Sequence, residues 1–208
     1  MRVLVTGGSG FIGSYVVRDL LRLGHSPIIF DQDERLDTIK LVLDDEKDAS
    51  LLPFYVGGII DINRLIEVCN FEKIDCVVHL ASPLTKDVDE NRSAGIRDIC
   101  LGTSTVFDAA VQCGVRRVVW ASSVAVFGPN YLYSSGPLAN NAAHIPANLY
   151  GNCKSFCEAL AKHVVDTTPL DIVGLRLAVV YGAGRKRGYM SYPSNMLRSA
   201  ASGERTVI

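Results

Sequence analysis

Four features are missing from this chain, and each absence removes a class of explanation. There is no excess of either charge: 21 Lys and Arg stand against 22 Asp and Glu in 208 residues, a formal net charge of −1. That balance offers no basic field for nucleic acid or an anionic membrane surface. Apolar runs are no longer than a strand, so no transmembrane helix is expected, and the N-terminal run Val3-Leu4-Val5 is too short for a signal peptide. No C-x-x-C pair occurs among the six cysteines, Cys69, Cys76, Cys100, Cys113, Cys153 and Cys157. Scattered in this way they read as reduced, buried small residues of a cytoplasmic protein. Cys153 and Cys157 share a helix face, but His163 alone does not complete a ligand set, so no metal is expected. Finally, no repeat or low-complexity tract appears, and with 48% apolar residues the chain can bury a full core.

What the chain does have is a glycine turn in its first fifteen residues. Behind Val3-Leu4-Val5 comes Thr6-Gly7-Gly8-Ser9-Gly10-Phe11-Ile12-Gly13, a strand turning through glycines into a helix. Backbone N–H groups and the positive helix end converge there, where a pyrophosphate fits. Gly7 permits the tight turn, Gly10 lets backbone approach the pyrophosphate, and Gly13 allows close helix–strand packing. Leu20, Leu21 and Leu23 continue the helix, and Gly24 suits the left-handed position beyond its end. A second strand, Ser26-Pro27-Ile28-Ile29-Phe30, ends at Asp31, eighteen residues past Gly13. A carboxylate there accepts hydrogen bonds from the adenosine ribose and repels a 2′-phosphate, so NAD is expected over NADP. Gln32, Asp33 and Glu34 add no cation; Arg35 is the one residue able to meet a phosphate.

Strand-like runs then alternate with helical ones: Phe54-Tyr55-Val56, Cys76 to Leu80, Arg117 to Ala121 and Ile172 to Leu177. This predicts an α/β fold, a doubly wound parallel sheet of the Rossmann kind whose strands are covered on both faces. Ile96, Ile99, Thr103, Val106, Phe107, Ala110 and Val111 recur at helical spacing up to Gly114, Asp61 suits an N-cap, and a further helix runs from about Leu149 to Val165. Residues 36–50 are acidic and without a clear period, as in a surface helix and loop. Residues 128–148, rich in Pro, Asn, Gly and Ser, form a loop long enough to be functional and are expected to border the substrate.

Two places carry chemistry. Tyr150-Gly151-Asn152-Cys153-Lys154 sets a tyrosine and a lysine one helical turn apart on one face. A phenol with a pKa of about 10 is a poor base at neutral pH, but a neighbouring ammonium and a cationic nicotinamide both favour its ionised form. Ser122-Ser123 ends a strand on the carboxyl edge, where ligands bind in open α/β sheets, and a hydroxyl there can hold a reacting oxygen beside the phenol. Taken singly, Y-x-x-x-K is a frequent helical accident and a serine pair is an ordinary strand end.

Taken together, T-G-G-S-G-F-I-G, Asp31, H-L-A-S at His79 to Ser82, A-S-S-V-A-V-F-G at Ala121 to Gly128, Y-G-N-C-K at Tyr150 to Lys154 and L-R-L-A-V-V-Y-G at Leu175 to Gly182 resemble the extended short-chain dehydrogenase/reductase superfamily. Within it the similarity is to the NAD-dependent epimerase/dehydratase family. The resemblance implies that Ser123, Tyr150 and Lys154 are catalytic, with Tyr150 and Lys154 also meeting the cofactor. It implies further cofactor contacts from Gly7, Gly10, Phe11, Ile12, Gly13, Asp31 and Gln32, from Gly58 and Ile59 beside the adenine, and from Leu80, Ala81 and Ser82 on the nicotinamide side. The implied activity is hydride transfer at a secondary hydroxyl or ketone of a sugar or sugar nucleotide, often in a homodimer paired through the Tyr-Lys helix.

Three departures qualify this expectation. Gly58 stands where the family usually has an aspartate, Ile99 where an asparagine is common, and Val179 where sugar-nucleotide members use an asparagine toward the substrate phosphates. The Val179 change leaves open a simple dehydrogenase or reductase of a sugar acid, steroid or phenolic compound, and a non-catalytic NAD(H)-sensing protein is the rival from another class. Arg185-Lys186-Arg187, in a glycine-flanked loop, is a candidate for a diphosphate or carboxylate. By the same resemblance residues 1–190 form the NAD-binding domain, residues 191–208 begin a substrate lobe, and the remainder of that lobe is expected beyond Ile208.

Overall fold

Alternation along the strands divides the core between two faces of a sheet. In a computed structural model that describes residues 1–43 and 46–205, with side chains from 49 in the second stretch, six parallel strands pair in the order β3-β2-β1-β4-β5-β6. They are β1 (Arg2–Thr6), β2 (Ser26–Asp31), β3 (Phe54–Val56), β4 (Cys76–His79), β5 (Arg117–Ser123) and β6 (Asp171–Leu177). The helices are α1 (Phe11–Arg22), α2 (Asp37–Val42), α3 (Glu46–Leu51), α4 (Ile62–Phe71), α5 (Thr85–Glu90), α6 (Arg92–Ile96), α7 (Gly102–Gln112), α8 (Leu149–Thr167) and α9 (Tyr192–Ser202). None among the described residues is long and apolar enough to cross a membrane.

Because successive side chains leave a strand on opposite sides, Leu4, Ile28, Phe30, Val77, Val118 and Trp120 pack with Leu65 and Val68 of α4, Phe107 of α7 and Cys157 of α8. Val3, Val5 and Ile29 pack on the other face with Val17 of α1, Ile39 of α2 and Ala49 of α3. Burying each large side chain contributes about 1.5–3 kcal/mol. The predicted α/β doubly wound sheet is therefore present, and its order reverses between β1 and β4. At that switch point the chain ends of the two strands diverge and leave a crevice.

Local signals hold at several ends. Asp61 caps α4 by accepting from Arg64 N at 3.1 Å, and Gly24 and Gly114 take φ of +74° and +66° just past α1 and α7. Three expectations need correction. The stripe beginning at Ile96 is broken by a π turn over Arg97–Leu101, which inserts an extra residue. Ile99 and Thr103 consequently face the core while Ile96 is exposed. Residues 36–50 are not a surface helix and loop but hold α2 and part of α3, with Ile39 and Ala49 buried; residues 44 and 45 lie outside the described residues. And β6 is not covered on both faces: Val173 and Leu175 are 38% and 48% exposed, because the layer of α1, α2 and α3 packs against Val3, Val5 and Ile29 and not this far along the sheet.

Candidate active site

The glycine turn is fixed by backbone sterics. Gly7 adopts φ +72° and donates its N–H to Phe30 O at 2.9 Å, tying the turn to the end of β2. A Cβ on Gly7 would lie 2.7 Å from Ala81 N, and one on Gly10 would lie 3.1 Å from Gly7 O. At Gly13 the obstacle is the turn itself: a Cβ would lie 2.2 Å from Gly7 O and 2.7 Å from Gly8 Cα. Gly13 thus lets the first turn of α1 close onto the glycine turn, a tighter constraint than the helix–strand packing expected of it. Gly8, given no role by its spacing, is equally constrained, with Val5 O 2.9 Å from its would-be Cβ.

Asp31 stands at the end of β2 with its carboxylate already oriented. Ser9 donates to Oδ2 from its hydroxyl at 2.6 Å and from its backbone N at 3.2 Å, and Gln32 N donates to Oδ1 at 2.8 Å. The crevice between β1 and β4 opens into two adjoining cavities. One, of about 440 Å³, is walled by Gly7, Gly10, Asp31, Gln32, Gly58, Ile59, Leu80, Ala81 and Ser82. The other, of about 390 Å³, is walled by Phe11, Ile12, Gly13, Leu80 and Ala121, with Arg185, Lys186 and Arg187 opposite the glycine turn. The basic loop therefore faces the turn, anchored by Arg187 to Asp87 at 2.9 Å and by Arg185 Nη1 to Val180 O at 2.8 Å. Arg35 borders both cavities.

Ser123, Tyr150 and Lys154 also come together. Asn148 starts α8 by accepting from Gly151 N at 2.8 Å, a capping signal that the spacing argument passed over. Gly151 has no room for a side chain, since its Cβ would lie 2.2 Å from Ala125 O. The helix start therefore rests on the short turn that follows Ser123, which brings Tyr150 to it. Ser123 Oγ accepts from Ala125 N at 3.1 Å. Lys154 is 3% exposed, donates to Ala121 O at 2.9 Å and lies 5.6 Å from the Tyr150 ring centroid.

Burial governs the electrostatics of the pair. It raises the Tyr150 phenol above its ordinary value, and Ser123 pulls it only part of the way back. Lys154 is the ammonium beside that ring. Burial costs it charge as well, taking its pKa down to about 8. His79 is likewise held neutral, its pKa lowered by burial to about 3, with Nδ1 2.7 Å from Thr6 Oγ1 and Nε2 3.3 Å from Thr103 Oγ1. Residues 128–148 do not wall these two cavities; part of the loop folds against β6 and α8, where Arg176 donates to Asn140 O at 2.7 Å. Among the described residues no three metal-ligating side chains converge.

Residues 3–208 match the sequence profile of the NAD dependent epimerase/dehydratase family. The chain belongs to that family. A UDP-glucose 4-epimerase of Lacticaseibacillus casei is 30% identical over 195 residues, 88% of this chain and 53% of that protein. The crystal structure of UDP-glucose 4-epimerase from Brucella ovis in complex with NAD superimposes with a TM-score of 0.72 at 28% identity, covering 86% of this chain and 51% of that one. MoeE5 in complex with UDP-glucuronic acid and NAD gives a TM-score of 0.79 at 29% identity, covering 96% and 61%. The chain spans about half the length of the curated relatives it matches. The family is NAD-dependent, and the crevice fits that cofactor: glycines with no space for a Cβ under one end, and an oriented carboxylate at the other.

Proposed function

We propose that this chain carries the NAD-binding and proton-transferring part of an enzyme that moves hydride at a secondary hydroxyl or ketone of a sugar or sugar nucleotide. The observation that carries the reading is the convergence of Ser123, Tyr150 and Lys154, the last bonded to Ala121, which helps wall the crevice over the glycine turn. In that reading Gly7, Gly10 and Gly13 admit the pyrophosphate, Asp31 accepts from ribose hydroxyls, and Gly58 and Ile59 lie beside the adenine. Leu80, Ala81, Ser82 and Lys154 serve the nicotinamide side. NAD, when bound, would supply the hydride acceptor and a positive charge beside the phenol.

The chain's own residues do the rest. Ser123 holds the substrate oxygen, and Tyr150 exchanges the proton with it. Since burial raises Tyr150, it is protonated at neutral pH and ready to give its proton to a carbonyl oxygen during reduction. Oxidation asks it to accept one, which is easier with a cation beside it. Relatives named as UDP-glucose 4-epimerases support a sugar nucleotide as substrate. One observation favours a non-nucleotide substrate instead: Val179, where sugar-nucleotide members place an asparagine, is apolar and 43% exposed as the chain leaves β6. Phe156, 53% exposed on α8, leaves that helix a surface for pairing two copies.

The test uses NAD with UDP-glucose, UDP-glucuronic acid and free sugar acids, following nicotinamide absorbance and product composition. Epimerisation interconverts the sugars without net NADH, whereas a one-way dehydrogenase accumulates it. Tyr150→Phe is expected to lower turnover about 100-fold or more with NAD affinity retained. Full turnover in that variant would overturn the mechanism.

A further inference from the structure

Below Tyr150 and Lys154 on α8, one more turn along the same face, stands Glu158. It is the centre of a polar cluster that the proton-transfer reading leaves unused. Ser122, buried at the end of β5, donates its hydroxyl to Glu158 Oε1 at 2.5 Å. Arg176 of β6, the register partner of Ser122, donates from Nε to Oε1 at 2.9 Å and from Nη2 to Oε2 at 2.6 Å, a two-pronged pair. The same guanidinium reaches into residues 128–148: Nη1 donates to Asn140 O at 2.7 Å and Nη2 to His144 Nε2 at 2.9 Å. Arginine has no acceptor, so His144 must offer a bare Nε2 and carry its proton on Nδ1. Phe127 closes the cluster, its ring 4.8 Å under the guanidinium carbon and edge-on to His144.

The cluster joins four separate pieces of chain. Ser122 belongs to the strand that presents Ser123, Glu158 to the helix that presents Tyr150, Arg176 to the edge strand, and His144 to the long loop. The upper contact between strand end and helix is steric, at Gly151 and Ala125. Between it and the lower set of hydrogen bonds lies the bond from Lys154 Nζ to Ala121 O at 2.9 Å. The lower set is the one that also ties in β6 and the long loop, which the two contacts above it do not reach.

We propose that Glu158 and Arg176 are positioning residues, whose pair, completed by Ser122 and His144, fixes the end of β5 and the 128–148 loop against α8 and so keeps Ser123 in register with Tyr150. The inference rests on the proton-transfer reading for its purpose, but its geometry does not. The pair is half-buried; burial raises the Glu158 carboxyl, but the bonds from Arg176 and Ser122 bring it below its ordinary value, so the carboxylate that receives these bonds stays ionised. Lysine in place of Arg176 would keep the charge and lose the fork that reaches four partners at once.

The test follows the Tyr150 phenol by NMR of ζ-¹³C tyrosine, with Tyr150→Phe identifying the resonance, and needs no substrate. Ser123→Ala sets the scale: the Ser123 hydroxyl lowers the phenol, so its loss moves the titration upward. Ser122→Ala, Glu158→Gln and Arg176→Lys, none of which touches Tyr150, are expected to move it in the same direction. NAD affinity should stay at the parent level, and amide exchange across residues 128–148 should quicken about tenfold in Arg176→Lys. If the two charge variants do not fold, Ser122→Ala, which removes a single hydrogen bond, decides alone. An unshifted Tyr150 titration in folded Ser122→Ala overturns the proposal. A protein inert toward every sugar tested but with a shifted titration would sink the reaction and leave the positioning role standing.

Discussion

The two ends of the crevice are held by different kinds of force. Around β1, β2 and β4 the architecture is set by atoms that cannot move: Gly7, Gly8 and Gly13 each have backbone within 3 Å of where a Cβ would go. Around β5, β6 and α8 one such contact, Gly151 on Ala125, is joined by a set of charged side chains, and one face of β6 is open. The contrast teaches where specificity resides. A dinucleotide is the same molecule in every member of a family and can be met by rigid backbone, whereas a substrate varies and is met by groups that substitution can retune.

The hardest way to break the contrast is to put the same methyl group into each end. Gly13→Ala and Gly151→Ala both place a Cβ 2.2 Å from a carbonyl oxygen, Gly7 O in the first and Ala125 O in the second. Each is expected to cost about 4 kcal/mol, above the usual range for overpacking, because backbone obstructs and cannot rotate away. The functional losses should separate. Gly13→Ala should lose dinucleotide binding in a fluorescence titration, while Gly151→Ala should keep it and lose turnover. Loss of NAD binding in both would show that the two ends are one mechanical unit.

Titration sharpens the comparison next, with the same sign in two separate pH windows. His79, beside the glycine turn, has a folded pKa of about 3 against an ordinary 6.5. Between those values the unfolded chain takes a proton that the folded one refuses, so stability is full above pH 6.5 and falls as pH drops toward 3. Lys154, at the other end, has a folded pKa of about 8 against 10.5. There the folded chain has shed a proton that the unfolded one keeps, so stability rises with pH between 8 and 10.5. The first window is worth on the order of 5 kcal/mol and the second on the order of 3 kcal/mol. Urea midpoints against pH should lose the acid limb in His79→Gln and the alkaline limb in Lys154→Met. Unchanged limbs in these variants would assign the dependence to other groups.

The same division governs how much could be read before the fold was known. Residues whose role is steric and local were legible: β2 ends at Asp31 as its apolar run predicts, and Gly24 and Gly114 close their helices. Ser123, Tyr150 and Lys154 are named by strand end and helical spacing, and they do meet. What stayed hidden depends on partners distant in sequence. Nothing near residue 97 announces a π turn; it is set by which of Ile96, Ile99 and Thr103 the core admits. Ser122 and Arg176 lie in stretches that carry the family resemblance, but nothing in the sequence pairs them with Glu158, and the direction of the Tyr150 shift depends on how deeply a helix start is buried. The length of the 128–148 loop did not announce that Arg176 draws part of it toward α8.

The smallest effect expected is also the one that asks whether the rigid end contains any adjustable part. Asp31 is the group proposed to distinguish NAD from NADP, and its setting depends on a hydroxyl: Ser9 Oγ at 2.6 Å, the shortest of the three donors it receives. Ser9→Ala removes that donor and leaves the two backbone N–H groups and the negative charge in place. NAD should bind about fivefold more weakly, the worth of about 1 kcal/mol for one hydrogen bond to a charged acceptor. The preference over NADP should persist, because repulsion of a 2′-phosphate needs the charge and not its orientation. Asp31→Ala is the necessary contrast, since it should weaken NAD and relax the preference together, with Arg35 bordering both cavities and free to approach a phosphate. If Ser9→Ala relaxes the preference as far as Asp31→Ala does, orientation and charge are not separable at this carboxylate. The rigid end would then owe its selectivity to one retunable side chain, as the other end does.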